Sequence, residues 1–400
     1  MPSTIDQATE LLTAAAVRSR CEIVFAAAEH GETRHFRLVP ARMDQAVGRV
    51  VDMIRRRYPD LAVPYHSRWR HFSAGGVDRS VQVAPGADPA EAARARIDLA
   101  VISVLLDAGA GLQWRFHEAE TGQSLSRSEG LAVASLRAMQ AGQFSADPTE
   151  PWRADAEALS SVSVESLGTA FQHTPTNQLL GIEGRVTLLR RLGGVCASRP
   201  DLFGAPARPC NLCDHWSHGS PGPTAADMLR TLLQAFGPIW PGHICIGGVP
   251  LGDCGRHPAV PGDGLVPFHK LTQWLAYSLI EPFEAAGVHV AGIGSLTGLA
   301  EYRNGGLFID CGVIEPRDPT LLNRPLEALS EPIVEWRALT VALLDRLASR
   351  VGERLGKTPE EFPLACVLEG GSWAAGREIA RERRPDGAPP LTVVTDGTLF

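Results

Sequence analysis

Glu301 and Lys270 are the residues of this chain best placed by type and neighbourhood to do chemistry. The carboxylate stands in Leu299-Ala300-Glu301-Tyr302-Arg303-Asn304-Gly305-Gly306, and the amine in Pro267-Phe268-His269-Lys270-Leu271-Thr272-Gln273. In an apolar setting a carboxylate steadies positive charge developing on a substrate carbon, and a nearby ammonium orients it or holds an anion. Lys270, Gln273 and Tyr277 recur at i, i+3 and i+7, which puts an amine, an amide and a phenol in one line along a helix. The same residues serve equally well as a buried ion pair and polar network holding helices in register, and spacing does not separate the two readings.

Two further groups invite the same question. Tyr65 to Asp78 packs His66, Arg68, Trp69, Arg70 and His71 together without amphipathic period, as expected of a loop that lines a pocket or of a surface loop pinned by Trp69 and Phe72. Leu368-Glu-Gly-Gly-Ser-Trp-Ala-Ala-Gly-Arg377 reads as a glycine turn entering a helix, whose free N–H groups suit an anion, although the spacing is not that of a P-loop. Cys210-Asn-Leu-Cys213, with His215, His218, Cys245 and Cys254 downstream, has the outline of a zinc site. The second cysteine pair is too loosely spaced for a knuckle, so free thiols and no metal or other cofactor are expected.

The elements that must position these groups are helical. Asp263 as N-cap and Pro267 in the first turn predict a helix that ends at Pro282 and Gly287. Its apolar stripe is Leu265, Phe268, Leu271, Leu275 and Leu279, with Ala276, Ile280 and Phe283 on another face, so it is buried. Ser295 or Thr297 is expected to cap a short second helix carrying Glu301 and stopping at Asn304-Gly305-Gly306, joined to the first by a short hairpin. Helical period also marks residues 5–60, Ala92 to Gly109 (with Asp98, Ser103 and Asp107 as its polar exceptions), Ser128 to Gly142, Glu183 to Gly193 and Ile333 to Leu355, whereas strand candidates such as Trp114 to Glu118 are few and short. The fold class is therefore mainly α with small β elements, built as one large unit or two closely packed lobes. The apolar stretch Leu391 to Phe400 is expected to dock on the body.

Forty-five acidic against thirty-eight basic residues give a formal charge of −7. Without a basic stripe, a nucleic-acid partner is not expected, and a small-molecule substrate is. No membrane-spanning run and no signal peptide stand out, so a cytoplasmic protein is expected; a homodimer stays open.

Tyr65–Asp78, Gly252-Asp253 with Arg256-His257-Pro258, Gly262-Asp-Gly-Leu-Val-Pro-Phe-His-Lys270, Glu301-Tyr-Arg-Asn-Gly-Gly306, Val334-Glu-Trp-Arg337 and Thr395-Asp-Gly-Thr398 resemble the uracil catabolism protein 4 family over nearly the whole chain. Arg208-Pro-Cys-Asn-Leu-Cys-Asp214 departs from the family's pattern at both cysteines, which weakens a metal role for them. The resemblance implies a route of pyrimidine breakdown in which uracil is handled as a ribosylated species and urea is released. More distantly, residues 95–310 are similar in motif order to the queuosine 5′-phosphate glycosidases and through them to helix-hairpin-helix glycosylases, with residues 311–400 left as C-terminal helices and tail. There Glu301 replaces the aspartate of an Asp-Tyr-Arg triplet. These resemblances imply hydrolysis of an N-ribosidic bond, with Glu301 and Lys270 catalytic. Asp263, His269, Gln273, Tyr277, Tyr302, Arg303 and Asp107 would bind a ribosylated substrate, and His66, Arg68, Trp69 and His71 would close the pocket from a second lobe. The rival expectations are a metal- or thiol-dependent ring-opening amidohydrolase and a non-catalytic binding protein of the same route.

Overall fold

The computed structural model describes residues 4–111, 113–217, 222–240 and 244–394. They form helices joined by loops and by five two-stranded ribbons, a mainly α protein with small β elements. No described helix is long and apolar enough to cross a membrane. The chain divides into two compact units, and each is interleaved in sequence.

The first unit takes residues up to His66, the segment ending at Gln273, and Gly292–Val394. Its core is the contact of helix Ala14–Glu29 with the long helix Glu331–Leu355. Val17, Cys21 and Val24 of the former and Val334, Ala338 and Val341 of the latter recur every three or four residues, so each helix turns one apolar stripe inward. Val266, Phe268 and Ala300 belong to the same cluster. The backbone next to Lys270 and to Glu301 is thereby anchored in the core, which favours a fixed geometry over a mobile one.

The segment before Lys270 is not the helix start expected from Asp263 and Pro267. Leu265–Pro267 is a strand, paired antiparallel with Cys254–Arg256 in the register Gly255↔Val266. Asp263 caps the turn of this hairpin by accepting the Leu265 N–H, and pairs with Arg20 at 3.0 Å on the exposed edge. Helix Lys270–Ala285 begins only after the hairpin, contains Pro282 within it, and ends before Gly287, whose φ of +80° turns the chain away. Its first turn lies in the first unit and the remainder in the second.

The short hairpin expected next is instead a long connection, residues 286–301, with one 3-10 turn at Ile293–Ser295. Neither Ser295 nor Thr297 caps the following helix, Tyr302–Asp310; Glu301 does. That helix runs straight through Gly305-Gly306, because the glycines serve close packing here. A Cβ on Gly305 would lie 2.6 Å from the Trp336 ring, and the Trp336 indole donates to the Gly305 carbonyl at 3.2 Å. From the other side Gly376 is pressed against the Arg303 carbonyl, 2.2 Å from where a Cβ would stand.

The expected glycine turn at Leu368 is likewise a continuous helical segment: Leu364–Val367, a π-helical stretch Leu368–Ser372, then Trp373–Arg383. Ser372 has helical dihedrals, so the later helix has no open N-terminus to offer an anion. Gly371 lets helix Met43–Arg57 approach, since its Cβ would meet Val50 Cγ1 at 2.6 Å. Of the C-terminal stretch, Thr392–Val394 pairs in parallel with Pro325–Glu327, which docks it; Thr395–Phe400 lies outside the described residues.

The second unit contains Ser67–Pro241 and Trp274–Ala291. The expected loop after Tyr65 folds as a short helix, Trp69–Phe72, with both aromatic ends buried. Helix Pro89–Leu105 carries Asp98 into the core, where Arg208 and the Cys210 N–H satisfy it.

Candidate active site

Glu301 is buried, with 8% of its surface exposed. Its φ/ψ are extended while the next residue is helical, so it occupies the N-cap position. Oε2 accepts the Arg303 N–H at 2.7 Å and Oε1 accepts the Asn304 N–H at 2.5 Å. Burial drives its pKa above the ordinary glutamate value. The two N–H donors and the charges of Lys270 and Arg303 oppose that shift without cancelling it. The result is a desolvated carboxylate held at a helix N-terminus with two cations acting on it.

Lys270 opens its own helix and is 9% exposed. Arg303 donates to the Gly387 carbonyl at 2.9 Å, and its guanidinium carbon lies 5.5 Å from the Tyr302 ring centroid. Asn304 accepts from Ser372 Oγ at 2.8 Å, which ties this helix start to the π-helical stretch.

Gln273, one turn after Lys270, has its amide fully engaged within the protein. Nε2 donates to the Phe268 carbonyl and to Thr297 Oγ1, and Oε1 accepts the Thr297 N–H at 2.9 Å. It is a strut between the start of its helix and the segment leading to Glu301. His269 has φ +49°, in the left-handed region that a residue with a side chain enters only when its surroundings impose it. Its Nε2 is 2.9 Å from the Leu11 carbonyl, which only accepts, so this nitrogen carries the proton and Nδ1 is a buried acceptor that meets no donor among the described residues. Burial lowers its pKa and keeps the ring neutral.

Two residues that sequence reasoning did not single out organise this group. Asp253 and Arg337 form a buried bidentate pair, at 2.8 and 2.7 Å. Asp253 also accepts the Lys270 N–H on Oδ2 and, through its carbonyl, the N–H groups of Phe268 and His269. Arg337 donates to the Ala300 carbonyl and lies 4.0 Å from the Phe268 ring centroid. Both lie within motifs that carry the family resemblance, and that was the available signal.

The remaining site candidates fall into separate groups. His66 pairs with Glu369 of the π-helical stretch at 2.9 Å, and Arg57 and Tyr58 share that carboxylate. In the second unit the Arg68 guanidinium is fully buried, donating to Ser103 at 2.7 Å and to Asp107 at 2.5 Å, and lies 5.4 Å from the Trp274 ring centroid. Burial pulls its pKa down. Trp69 donates to the Ser278 carbonyl, His71 meets the Trp274 ring edge-on, and Tyr277 is wholly buried. Asp263, at its exposed turn, is bound to Arg20.

For metals, the described residues bring His35, Glu331 and Glu335 together with donor atoms within 4.8 Å of one another. Glu335 already accepts the Phe36 N–H at 2.7 Å and faces His257 at 3.2 Å, so this group has a structural task in tying strand to helix. Cys210 and Cys213 are buried in a 3-10 turn with their thiols pushed well up, and among the described residues no third ligand joins them; His218 lies outside the described residues.

Over residues 10–400 the chain matches the family model described as Protein of unknown function (DUF1688). It is 40% identical over 409 residues to Protein urg3 of Schizosaccharomyces pombe (strain 972 / ATCC 24843), spanning 98% of each chain. To Uracil catabolism protein 4 of Lachancea kluyveri it is 36% identical over 411 residues, spanning 92% of this chain and 93% of that one. The chain belongs to the uracil catabolism protein 4 family.

Proposed function

We propose that this protein acts in uracil breakdown as a hydrolase of an N-ribosidic bond, taking a ribosylurea or its 5′-phosphate and releasing urea. The pathway rests on the similarity to Uracil catabolism protein 4 of Lachancea kluyveri. The observation that carries the chemistry is Glu301: a carboxylate stripped of water, fixed by two backbone N–H groups and flanked by the charges of Lys270 and Arg303. In such a hydrolysis the bond from C1 of the ribose to the ureido nitrogen breaks, and its electron pair leaves with nitrogen. Water delivers hydroxide to C1 and a proton to that nitrogen, which balances the reaction as ribose plus urea. Positive charge builds on C1 and the ring oxygen as the bond lengthens, and an ionised Glu301 beside it stabilises that charge without reorganising. The charges of Lys270 and Arg303 favour the ionised form of the carboxylate against burial, and a 5′-phosphate on the substrate would pair with them.

Thiol chemistry has less support. Seven of the eight cysteines are buried, and burial pushes Cys254 and Cys366 up to about 12 and Cys311 to about 11, leaving little thiolate near neutrality. The test is incubation of the purified protein with ribosylurea and with its 5′-phosphate, with urea and the free sugar measured separately. Stoichiometric release of both from one of them is expected; release from neither would overturn the proposal.

A further inference from the structure

Lys270 and Glu301 stand 31 residues apart in sequence, the first opening one helix and the second at the N-cap of another. The backbone at each is held by the same buried ion pair. On one side Asp253 Oδ2 takes the Lys270 N–H at 3.0 Å, and its carbonyl takes the N–H groups of Phe268 and His269 at 2.9 and 3.2 Å. This clamps the left-handed turn from which the lysine helix starts. On the other side Arg337 Nε donates to the Ala300 carbonyl at 3.3 Å, one residue before Glu301. The two sides meet in the bidentate contact of Asp253 with Arg337. Arg337 is held in turn by the Phe268 ring and by its place on the long core helix Glu331–Leu355.

We propose that Asp253 and Arg337 are positioning residues that set where Lys270 stands relative to Glu301, and through that distance the ionisation of the carboxylate on which the proposed hydrolysis rests. The charges of Lys270 and Arg303 both favour the ionised form of Glu301 against burial, as do the Arg303 and Asn304 N–H groups. Loosening the clamp on the lysine side therefore weakens one of the influences that favour the ionised form of Glu301.

Asp253→Asn separates this from its alternatives by sign. Removal of a nearby negative charge, acting through space alone, lowers the pKa of Glu301. Release of Lys270 raises it. A scaffold role alone lowers the thermal midpoint and leaves the folded protein's titration where it was. The measurement is the carboxyl titration of Glu301 by NMR on protein labelled with 13C at the glutamate carboxyl carbons, assigned by difference from Glu301→Gln; it requires no substrate.

In Asp253→Asn we expect the Glu301 pKa to rise by ~0.5 unit or more and the acid limb of kcat to move with it. We also expect kcat to fall by roughly 10- to 100-fold, as misplacement of a reacting group does. In a Lys270→Met background the same change should move the Glu301 titration no further upward. Arg337→Lys keeps the charge but cannot make the bidentate contact, and it should give a smaller rise; it carries the test if Asp253→Asn does not fold.

An unchanged or lowered Glu301 pKa in folded Asp253→Asn, or in folded Arg337→Lys should that be the variant that folds, overturns the positioning role. A wild-type protein that releases no urea, but whose Glu301 titration shifts upward in the variants, overturns the hydrolase reading and leaves the positioning of the pair standing.

Discussion

Replacing Glu301 with glutamine separates a reacting carboxylate from a helix cap, because this side chain does both jobs in one geometry. As a cap it satisfies two N–H groups that would otherwise be orphaned. Glutamine keeps one oxygen for them and turns an NH2 toward the other, a loss of about 1 kcal/mol on the usual scale of N-cap changes. Part of that is returned, because the folded-state pKa of Glu301 lies above its unfolded value. The stability such a group contributes is present below its unfolded pKa and is lost as pH rises through the folded one, and glutamine has no charge to keep dry. Net destabilisation at neutral pH should thus stay near or below about 1 kcal/mol. As a charge stabiliser, by contrast, the carboxylate is worth about 3–4 kcal/mol at the transition state, so turnover should fall by roughly 100- to 1,000-fold. Glu301→Ser adds the complementary control: serine caps helices well but supplies no carboxylate. Urea release per folded molecule, corrected by a thermal melt, is the assay. Wild-type turnover in folded Glu301→Gln or Glu301→Ser would refute the catalytic role and leave Glu301 a cap.

Lys270→Met removes a charge that lowers the Glu301 pKa, so the acid limb of the pH–rate profile should move to higher pH, with activity lost as pH falls through the raised value. An unmoved limb would dissociate the two residues. Gly376→Ala places a methyl group 2.2 Å from the Arg303 carbonyl and should lower stability by about 1–3 kcal/mol, read as a fall in Tm of several degrees. An unchanged Tm would mean that the helices separate there without strain. Cys245 is exposed and the other seven thiols are buried. An aromatic disulfide reagent should therefore label one thiol per folded chain rapidly, and Cys245→Ser should abolish that phase.

What could be read from the sequence was what depends on short range. The three-to-four residue recurrence of Trp336, Leu339, Leu343 and Leu347 in the segment Ile333 to Leu355 marks a buried helical face whatever it packs against, and all four are buried. The errors arose where one residue type serves two backbones. Pro267 suits a first helical turn and also the end of a strand, and only its pairing with Cys254 decides. Gly305 resembles a helix stop in sequence and Gly371 a turn leading into a helix, yet both are helix-interior because Trp336 and Val50 need the space. The cap at Glu301 was missed because Ser295 and Thr297 are commoner cap types. The pair at Asp253 and Arg337 spans 84 residues, and no local period announces a partner so far away. Nothing in the sequence around Glu369 marks it apart from the glycines beside it, although it is the residue that His66 meets.

The π-helical stretch at Leu368–Ser372 fixes the phase of everything after it. A π turn amounts to one residue inserted into an α-helix, so the faces beyond it are rotated by about 100° from where a regular helix would carry them. Gly376 meets the Arg303 carbonyl only in that shifted phase, and Ser372 reaches Asn304 from within the bulge itself. Deleting a single residue between Glu369 and Ser372 would leave a better-formed helix by every local criterion. It would also turn a side chain toward the Arg303 carbonyl and take the serine away from the start of the Glu301 helix. A local irregularity thus acts as a ratchet tooth that sets one helix against another, and the more regular sequence would be the less functional one.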